Sequence, residues 1–356
     1  MTENACLTSI AEVNRQFDAG LSGLETVKNN FPFLANQYYL SLINWDDPED
    51  PIKKIPNSGE MVKWGSLDPS MEARNTKSPG LQHKYQATAL MLISDNCGGF
   101  CRFCFRKRLF IKPGDEKIRD LSTDIDYIRS HPEISNVLLS GGDALMIPTS
   151  RLSKIVSALF SIKHIKSIRI GTKMPAYNPF RITGDESLQD MIQENSRSGK
   201  MLYFMTQFNH PRELTKEAKE AMDLLRLSGA SLANQTPILN GVNNDPETLS
   251  GLCSNLAEAG NVPYYLFQCR PVAGNRHFTV PVENTYEIYE KAKRNLSGLA
   301  KKARYVMSHA TGKIEVIGMD SGKVYMKYHQ AANPRDIGKM MSFKRNPKAL
   351  WFDDYL

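Results

Sequence analysis

From residue 86 onward two patterns alternate along the chain, and this rhythm constrains the fold more than any other feature. Short apolar runs rich in β-branched residues read as strands at Ala87–Ser94, Asn136–Leu139, Ser167–Gly171, Met201–Met205, Ser231–Gln235 and Pro263–Gln268. Helical patterns lie between them at Thr123–Ser130, Ser150–Phe160, Asp185–Arg197, Thr215–Leu227 and Pro246–Ala259, and a sixth, Val282–Arg294, follows the last strand. Asp245-Pro246 places a proline in a first helical turn. Six βα units predict an α/β protein with a parallel sheet curled into a partial (β/α)6 barrel. Eight units would close a full barrel, and eight are not found. Chemistry in such a fold sits at the carboxyl ends of the strands. Gly141-Gly142-Asp143, Gly171-Thr172-Lys173, Gln235, Cys269-Arg270 and the segment Cys97-Gly-Gly-Phe-Cys101-Arg-Phe-Cys104 all fall there.

That last segment carries three cysteines spaced C-x3-C-x2-C. Three thiolates on one short loop can bind one metal centre. Structural zinc takes four ligands, usually as two separated pairs, and no fourth Cys or His lies nearby. A four-iron cluster has four irons to ligate, so three cysteines leave one iron open to a small molecule. Ser140-Gly-Gly-Asp143 follows the next strand, where two adjacent glycines allow close backbone approach to a ligand.

Composition excludes little. The 356 residues are 41% hydrophobic and 23% charged, with no apolar run of the roughly 18 residues a membrane helix needs. Met-Thr-Glu-Asn-Ala-Cys lacks the start of a signal peptide, so a cytoplasmic location and reduced thiols are expected. The net charge of +7 is uneven: residues 291–356 hold fourteen Lys and Arg against five Asp and Glu. Without a nucleic-acid motif, this reads as a solvated basic surface rather than an RNA site. Three segments are expected: a helical and irregular extension over 1–80, the barrel over 81–296 and a small β-rich extension over 297–356. In the first, Ser9–Leu24 reads as helix and the proline-punctuated stretch Trp45–Pro56 as loop. In the last, Arg304–His309, Lys313–Gly318 and Lys323–Tyr328 read as strands, Met319–Gly322 as a hairpin turn, and the tail from Trp351 as docking back.

The cysteine spacing is that of the radical S-adenosylmethionine (SAM) enzymes. The resemblance narrows with His83-Lys-Tyr, Cys101-Arg-Phe-Cys-Phe-Arg-Lys-Arg108, Leu139-Ser-Gly-Gly-Asp-Ala-Leu145, Ile168-Arg-Ile-Gly-Thr172, Pro179-Phe-Arg-Ile-Thr183, Gln207-Phe-Asn-His-Pro-Arg-Glu213, Asn234-Gln-Thr-Pro-Ile-Leu-Asn-Gly-Val-Asn243 and Tyr264-Tyr-Leu-Phe-Gln-Cys269. In this order, from about residue 79 to 300, these motifs resemble the lysine 2,3-aminomutase family. The resemblance implies a radical SAM barrel and a [4Fe-4S] cluster on Cys97, Cys101 and Cys104. It implies SAM contacts at Phe103, Ser140, Gly141, Gly142, Asp143 and Gln235. It further implies reductive cleavage of SAM to a 5′-deoxyadenosyl radical, hydrogen abstraction from a small substrate, and an electron donor such as flavodoxin or ferredoxin. Arg106 matches the arginine that pairs with the substrate carboxylate, a task suited to guanidinium.

Three departures set expectations. The family holds pyridoxal phosphate (PLP) covalently on the lysine of a Pro-Gly-Gly-Gly-Gly-Lys segment. Here Ser297-Gly-Leu-Ala300 runs straight into Lys301-Lys302 and no such segment follows. The family's His-Arg-Tyr-x-x-Arg, which holds the PLP phosphate, reads His83-Lys84-Tyr85-Gln-Ala-Thr88. Both changes lead to the expectation that PLP is not used, with Lys301, Lys302 or Lys313 as substitute anchors if it is. The third change is Arg270, where the lysine enzyme has the aspartate that holds the substrate ammonium. This charge reversal predicts an anionic substrate group. The expected function is a PLP-independent radical SAM enzyme acting on an amino-acid-like or anionic molecule. The alternatives are a PLP-dependent 2,3-aminomutase acting on something other than lysine, and a non-catalytic cluster or zinc protein that binds RNA.

Overall fold

The computed structural model describes residues 6–17, 31–56, 64–111 and 116–356. Two short strands, β1 (Cys6–Leu7) and β2 (Ala35–Asn36), pair antiparallel in the N-terminal region. All other strands belong to one twelve-stranded sheet whose spatial order follows the chain. It begins with β3 (Thr76–Ser78) and β4 (Leu81–Tyr85), which are antiparallel. Seven parallel strands come next: β5 (Thr88–Ser94), β6 (Asn136–Gly141), β7 (Ser167–Thr172), β8 (Met201–Thr206), β9 (Ser231–Ile238), β10 (Asn261–Gln268) and β11 (Arg304–His309). The sheet ends in antiparallel β12 (Gly312–Met319), β13 (Lys323–Ala331) and β14 (Met340–Lys344).

Among the described residues, six helices of ten residues or more connect the parallel strands, several starting where the sequence provides caps. The Asp185 side chain accepts from the Leu188 amide, Thr215 from Ala218, and Asp245 from Glu247 and Thr248. Each helix buries one stripe. Lys216–Leu227 buries Ala218, Ala221, Met222 and Leu225, the i, i+3, i+4, i+7 positions. Along the strands, Val137, Leu139, Ile168 and Ile170 face this helical layer and alternate with Leu138, Ser140, Arg169 and Gly171, which face the interior cavity. Burying each such aliphatic side chain contributes about 1.5–3 kcal/mol.

The barrel extends beyond the six expected strands. Arg304–His309 is a seventh parallel strand, because helix Val282–Arg294 returns the chain to the edge of β10. The sheet and its core therefore run without a break across residues 296 and 297. Tyr305, Met307, Ile314 and Val316 share a core with Val282, Tyr289 and Ala292 of that helix and with Trp351 and Phe352 of the tail. The curl brings the ends of the parallel stretch together without a ladder closing them. Lys84 of β4 donates to the His309 carbonyl of β11 at 2.7 Å.

Local expectations resolve in detail. Residues 320–322 turn the β12–β13 hairpin, with Asp320 Oδ1 accepting from the amides of Gly322 and Lys323. Helix Ile10–Phe17 occupies the first part of the Ser9–Leu24 expectation, and residues 18–24 lie outside the described residues. Trp45–Pro56 is not all loop: Pro51–Lys54 forms a helical turn, since buried Asp50 accepts from the amides of Ile52 and Lys53 and Pro51 occupies a first-turn position. No helix among the described residues is long and apolar enough to cross a membrane.

Candidate active site

A cavity of about 340 Å³ opens at the carboxyl ends of the parallel strands. It is lined by Cys97, Cys101, Cys104, Phe103, Arg106, Ser140, Gly141, Gly142, Asp143, Gln235 and Arg270. Every site residue expected from the sequence is thus brought into one space.

The thiol wall follows β5. Burial pushes the thiols of Cys97, Cys101 and Cys104 upward, Cys101 to about 12. The Arg106 amide donates to Cys104 Sγ at 3.4 Å, and the Tyr177 hydroxyl lies 3.5 Å from Cys101 Sγ. Among the described residues, no three His, Cys, Asp or Glu side chains converge as one ion would require. The loop is locked to the next strand end by backbone bonds from Gly142 N to Ser94 O (2.8 Å) and from Asp143 N to Asn96 O (2.7 Å). A Cβ on Gly141, where φ is +131°, would lie 2.0 Å from Ser94 O, and one on Gly142 would lie 2.2 Å from Asn96 O. The two glycines are therefore required by the cysteine loop itself, before any ligand. An ammonium group is a donor, so this backbone can receive it only through carbonyl oxygens. The Asp143 carboxylate is also engaged, accepting from Leu145 N and Lys173 N.

Arg106 enters the cavity already paired. Its Nε and one terminal nitrogen donate to Glu72, and the other terminal nitrogen donates to Ser140 Oγ at 2.9 Å. Three of the five guanidinium donors are used and two remain. Burial alone would raise the Glu72 pKa, but Arg106 and then Arg108 outweigh it and hold it low. Phe105 lies between two guanidinium groups, with the Arg106 carbon 4.7 Å and the Arg270 carbon 3.7 Å from its ring centroid.

The opposite wall is cationic and comes from distant strands: Lys84 of β4, Arg169 of β7, Arg270 after β10 and Lys313 of β12. None of the four makes an ion pair with a described residue. Arg270 donates to Ser70 Oγ at 2.9 Å, Arg169 to Asn136 Oδ1 at 2.7 Å, and Lys313 to Gln330 Oε1 at 3.1 Å. Arg169 Nε is buried without a partner. Lys313 Nζ lies 5.0 and 5.4 Å from the ring centroids of Tyr85 and Tyr265. Burial first, then Arg169, Arg270 and Lys84, bring its pKa down to about 7. Burial, then Arg270, brings Lys84 to about 8. Lys301 and Lys302 are exposed and do not line the cavity. Thr88 lines it and bonds Asn136.

A protein of Aquifex aeolicus described as "Putative L-lysine 2,3-aminomutase" is 52% identical over 335 residues, covering 93% of this chain and 90% of that protein. The chain belongs to the lysine 2,3-aminomutase family. It is accordingly a radical SAM enzyme. The L-lysine 2,3-aminomutase of Clostridium subterminale is 38% identical over 73% of this chain and 62% of its own length. The glutamate 2,3-aminomutase of Clostridioides difficile is 35% identical over 78% of this chain. Among solved structures, a radical SAM methyltransferase from Sphaerobacter thermophilus aligns at 13% identity with a TM-score of 0.43, over 64% of this chain and 68% of that one. No protein-family model matches.

Family motifs located the thiol wall and the position of Lys84, but not Glu72 or a role for Arg169. Strand alternation carried a signal for Arg169: in Ser167-Ile-Arg-Ile-Gly171 the isoleucines are buried, so the arginine between them must face the interior.

Proposed function

We propose that this enzyme is a PLP-dependent amino acid 2,3-aminomutase whose substrate side chain is anionic rather than cationic. This is the reading that the sequence set second. The observation that carries it is Lys313: a buried amine with a lowered pKa, inside the cavity and surrounded by Lys84, Arg169 and Arg270. A neutral amine flanked by unpaired cations suits an aldehyde that bears a phosphate. The family resemblance places the lysine in a glycine-rich run after Ala300. The strand Arg304–His309 intervenes, and the lysine follows the single glycine of Thr311-Gly312-Lys313. Lys84 keeps a cation at the first arginine position of the phosphate motif, and Arg169 stands in for the arginine missing at Thr88.

Cys97, Cys101 and Cys104 would hold a [4Fe-4S] cluster, and Phe103, Ser140, Gln235 and the carbonyls of Gly141–Asp143 would hold SAM beside it. When bound, the cluster supplies the electron that cleaves SAM, and PLP supplies the conjugated system that lets an amino group migrate. The chain's own residues bind, orient and shield. Arg106, oriented by Glu72, offers its two remaining donors to the substrate α-carboxylate. Arg270, held flat on Phe105 and aimed by Ser70, takes the anionic end. Neutral Lys313 presents its lone pair to the carbonyl carbon. An electron donor such as flavodoxin or ferredoxin would supply the cluster. The 52% identity to the Aquifex aeolicus protein supports the reaction class, and the charge at Arg270 supports the altered substrate.

The test is anaerobic reconstitution with iron, sulfide and PLP, then incubation with SAM, dithionite and single amino acids with acidic, neutral or basic side chains. Isomerisation of an acidic amino acid to its β-amino form is the expected result. Turnover of lysine in preference to every acidic amino acid would contradict the substrate reading. Turnover of the amino acid with no PLP dependence would restore the PLP-independent one.

A further inference from the structure

Tyr177 ends the short helix Met174–Tyr177, which begins two residues after β7, and is 2% exposed. One face of its ring lies on the cysteine loop: a Cβ on Gly99 would sit 2.4 Å from Tyr177 Cε1. The ring of Tyr39 also stacks on it, at 4.2 Å between centroids and 26° between planes. Tyr39 is itself fixed, because its hydroxyl donates to Glu213 Oε1 at 2.5 Å, and Lys173 Nζ donates to the same oxygen at 2.6 Å. Lys173 Nζ lies 5.2 Å from the Tyr177 ring centroid. The ring has no freedom to swing away, and its hydroxyl is held 3.5 Å from Cys101 Sγ.

A sulfur bound to iron has lost its proton and can only accept, so in the loaded enzyme the phenol must be the donor. We propose that the Tyr177 hydroxyl donates a hydrogen bond to the cluster-bound sulfur of Cys101 and thereby raises the reduction potential of the cluster. The inference rests on the reading that Cys101 is a cluster ligand. Reduction adds one electron, taken from the external donor, and a hydrogen bond to a sulfur stabilises the more negative state. Burial strengthens that bond relative to one in water. The bond would also differ from the contact at Cys104, which comes from a backbone amide and cannot be removed by substitution. Tyr177 is in this sense a tuning residue, acting through the sulfur and not on the substrate.

The experiment is a potentiometric titration of the reconstituted cluster, without SAM, followed by electron paramagnetic resonance. Tyr177→Phe keeps the ring and removes only the donor. At a fixed poise its reduced-to-oxidised ratio should fall about threefold to tenfold, a negative shift of up to about 59 mV for one electron. Replacing Tyr177 by 3-fluorotyrosine makes the phenol a stronger donor and should move the potential the other way. A purely packing role would not produce shifts of opposite sign. Unchanged potentials in both proteins, at wild-type iron content, would overturn the proposal. If Tyr177→Phe takes up no cluster, the fluorotyrosine protein decides alone: a positive shift supports the hydrogen bond and no shift overturns it. A wild-type protein that holds no four-iron cluster would instead overturn the proposed function, and this inference with it.

Discussion

The thiol wall and the cationic wall of one cavity are built by different routes. The thiol wall comes from consecutive residues: Cys97 to Arg106 leave one strand end, and Ser140 to Asp143 leave the next. Its geometry is fixed by short-range backbone bonds between those two loops. The cationic wall has no such local origin. Lys84, Arg169, Arg270 and Lys313 meet only because the sheet curls far enough to bring β4 against β11 and β12. Chemistry held by a contiguous loop tolerates a changed partner across the cavity, whereas chemistry assembled by topology can be altered one strand at a time. A family can in this way keep its radical half and revise its substrate.

The largest effect should come from the thiol wall. Replacing Cys97, Cys101 or Cys104 by Ala should abolish both the four-iron cluster and 5′-deoxyadenosine formation, as read by iron content and product analysis. Cys253→Ala, in the helical layer at Pro246–Glu258, should leave both intact. A variant of the triplet with a full cluster and undiminished SAM cleavage would break the distinction between the walls.

Next is Arg270→Ala. Truncating one partner of a buried charge pair costs about 2–5 kcal/mol. The KM for an acidic amino acid should therefore rise by about 30-fold or more, at 1.4 kcal/mol per tenfold. SAM cleavage without substrate should persist, because the thiol wall is untouched. An unchanged KM would remove Arg270 from the substrate site.

The smallest effect concerns pH. Lys313 titrates near 7 instead of in the usual lysine range, chiefly because it is buried among Arg169, Arg270 and Lys84. Its neutral form, the one that attacks an aldehyde, becomes dominant as pH rises through about 7. Trapping of PLP by borohydride should follow that rise, with a midpoint near 7. A midpoint near the ordinary lysine value would mean that the amine is solvated.

The same contrast explains how much could be read from the sequence. Each of the six expected strands was found within the barrel, because period-two burial and capped helices mark them directly. The seventh, Arg304–His309, was recognised as a strand, but its parallel partner, 39 positions back at Tyr265, leaves no local trace. The hairpin β3–β4 and the edge strand β14 were not anticipated: Thr76–Ser78 is too short to show a pattern, and Met340–Lys344 is mostly exposed. Within the site, the cysteine and Gly-Gly motifs announced themselves by spacing. Glu72 did not, since it comes from a 3-10 turn in the N-terminal region and acquires meaning only against Arg106 and Arg108. Lys313 was visible only as one of three substitute anchors beside Lys301 and Lys302, because nothing near it in sequence reveals that Tyr85 lies across the seam.

One cavity joins the thiol triplet to Lys313, the lysine proposed to carry PLP. The most direct test is to reconstitute the intact protein with iron, sulfide and PLP, desalt it, reduce it with borohydride and map the peptides by mass. A stoichiometric pyridoxyl adduct on Lys313 alone is predicted. No adduct, or one on Lys301 or Lys302 at the exposed turn, would contradict the account and leave the cationic wall to the substrate only.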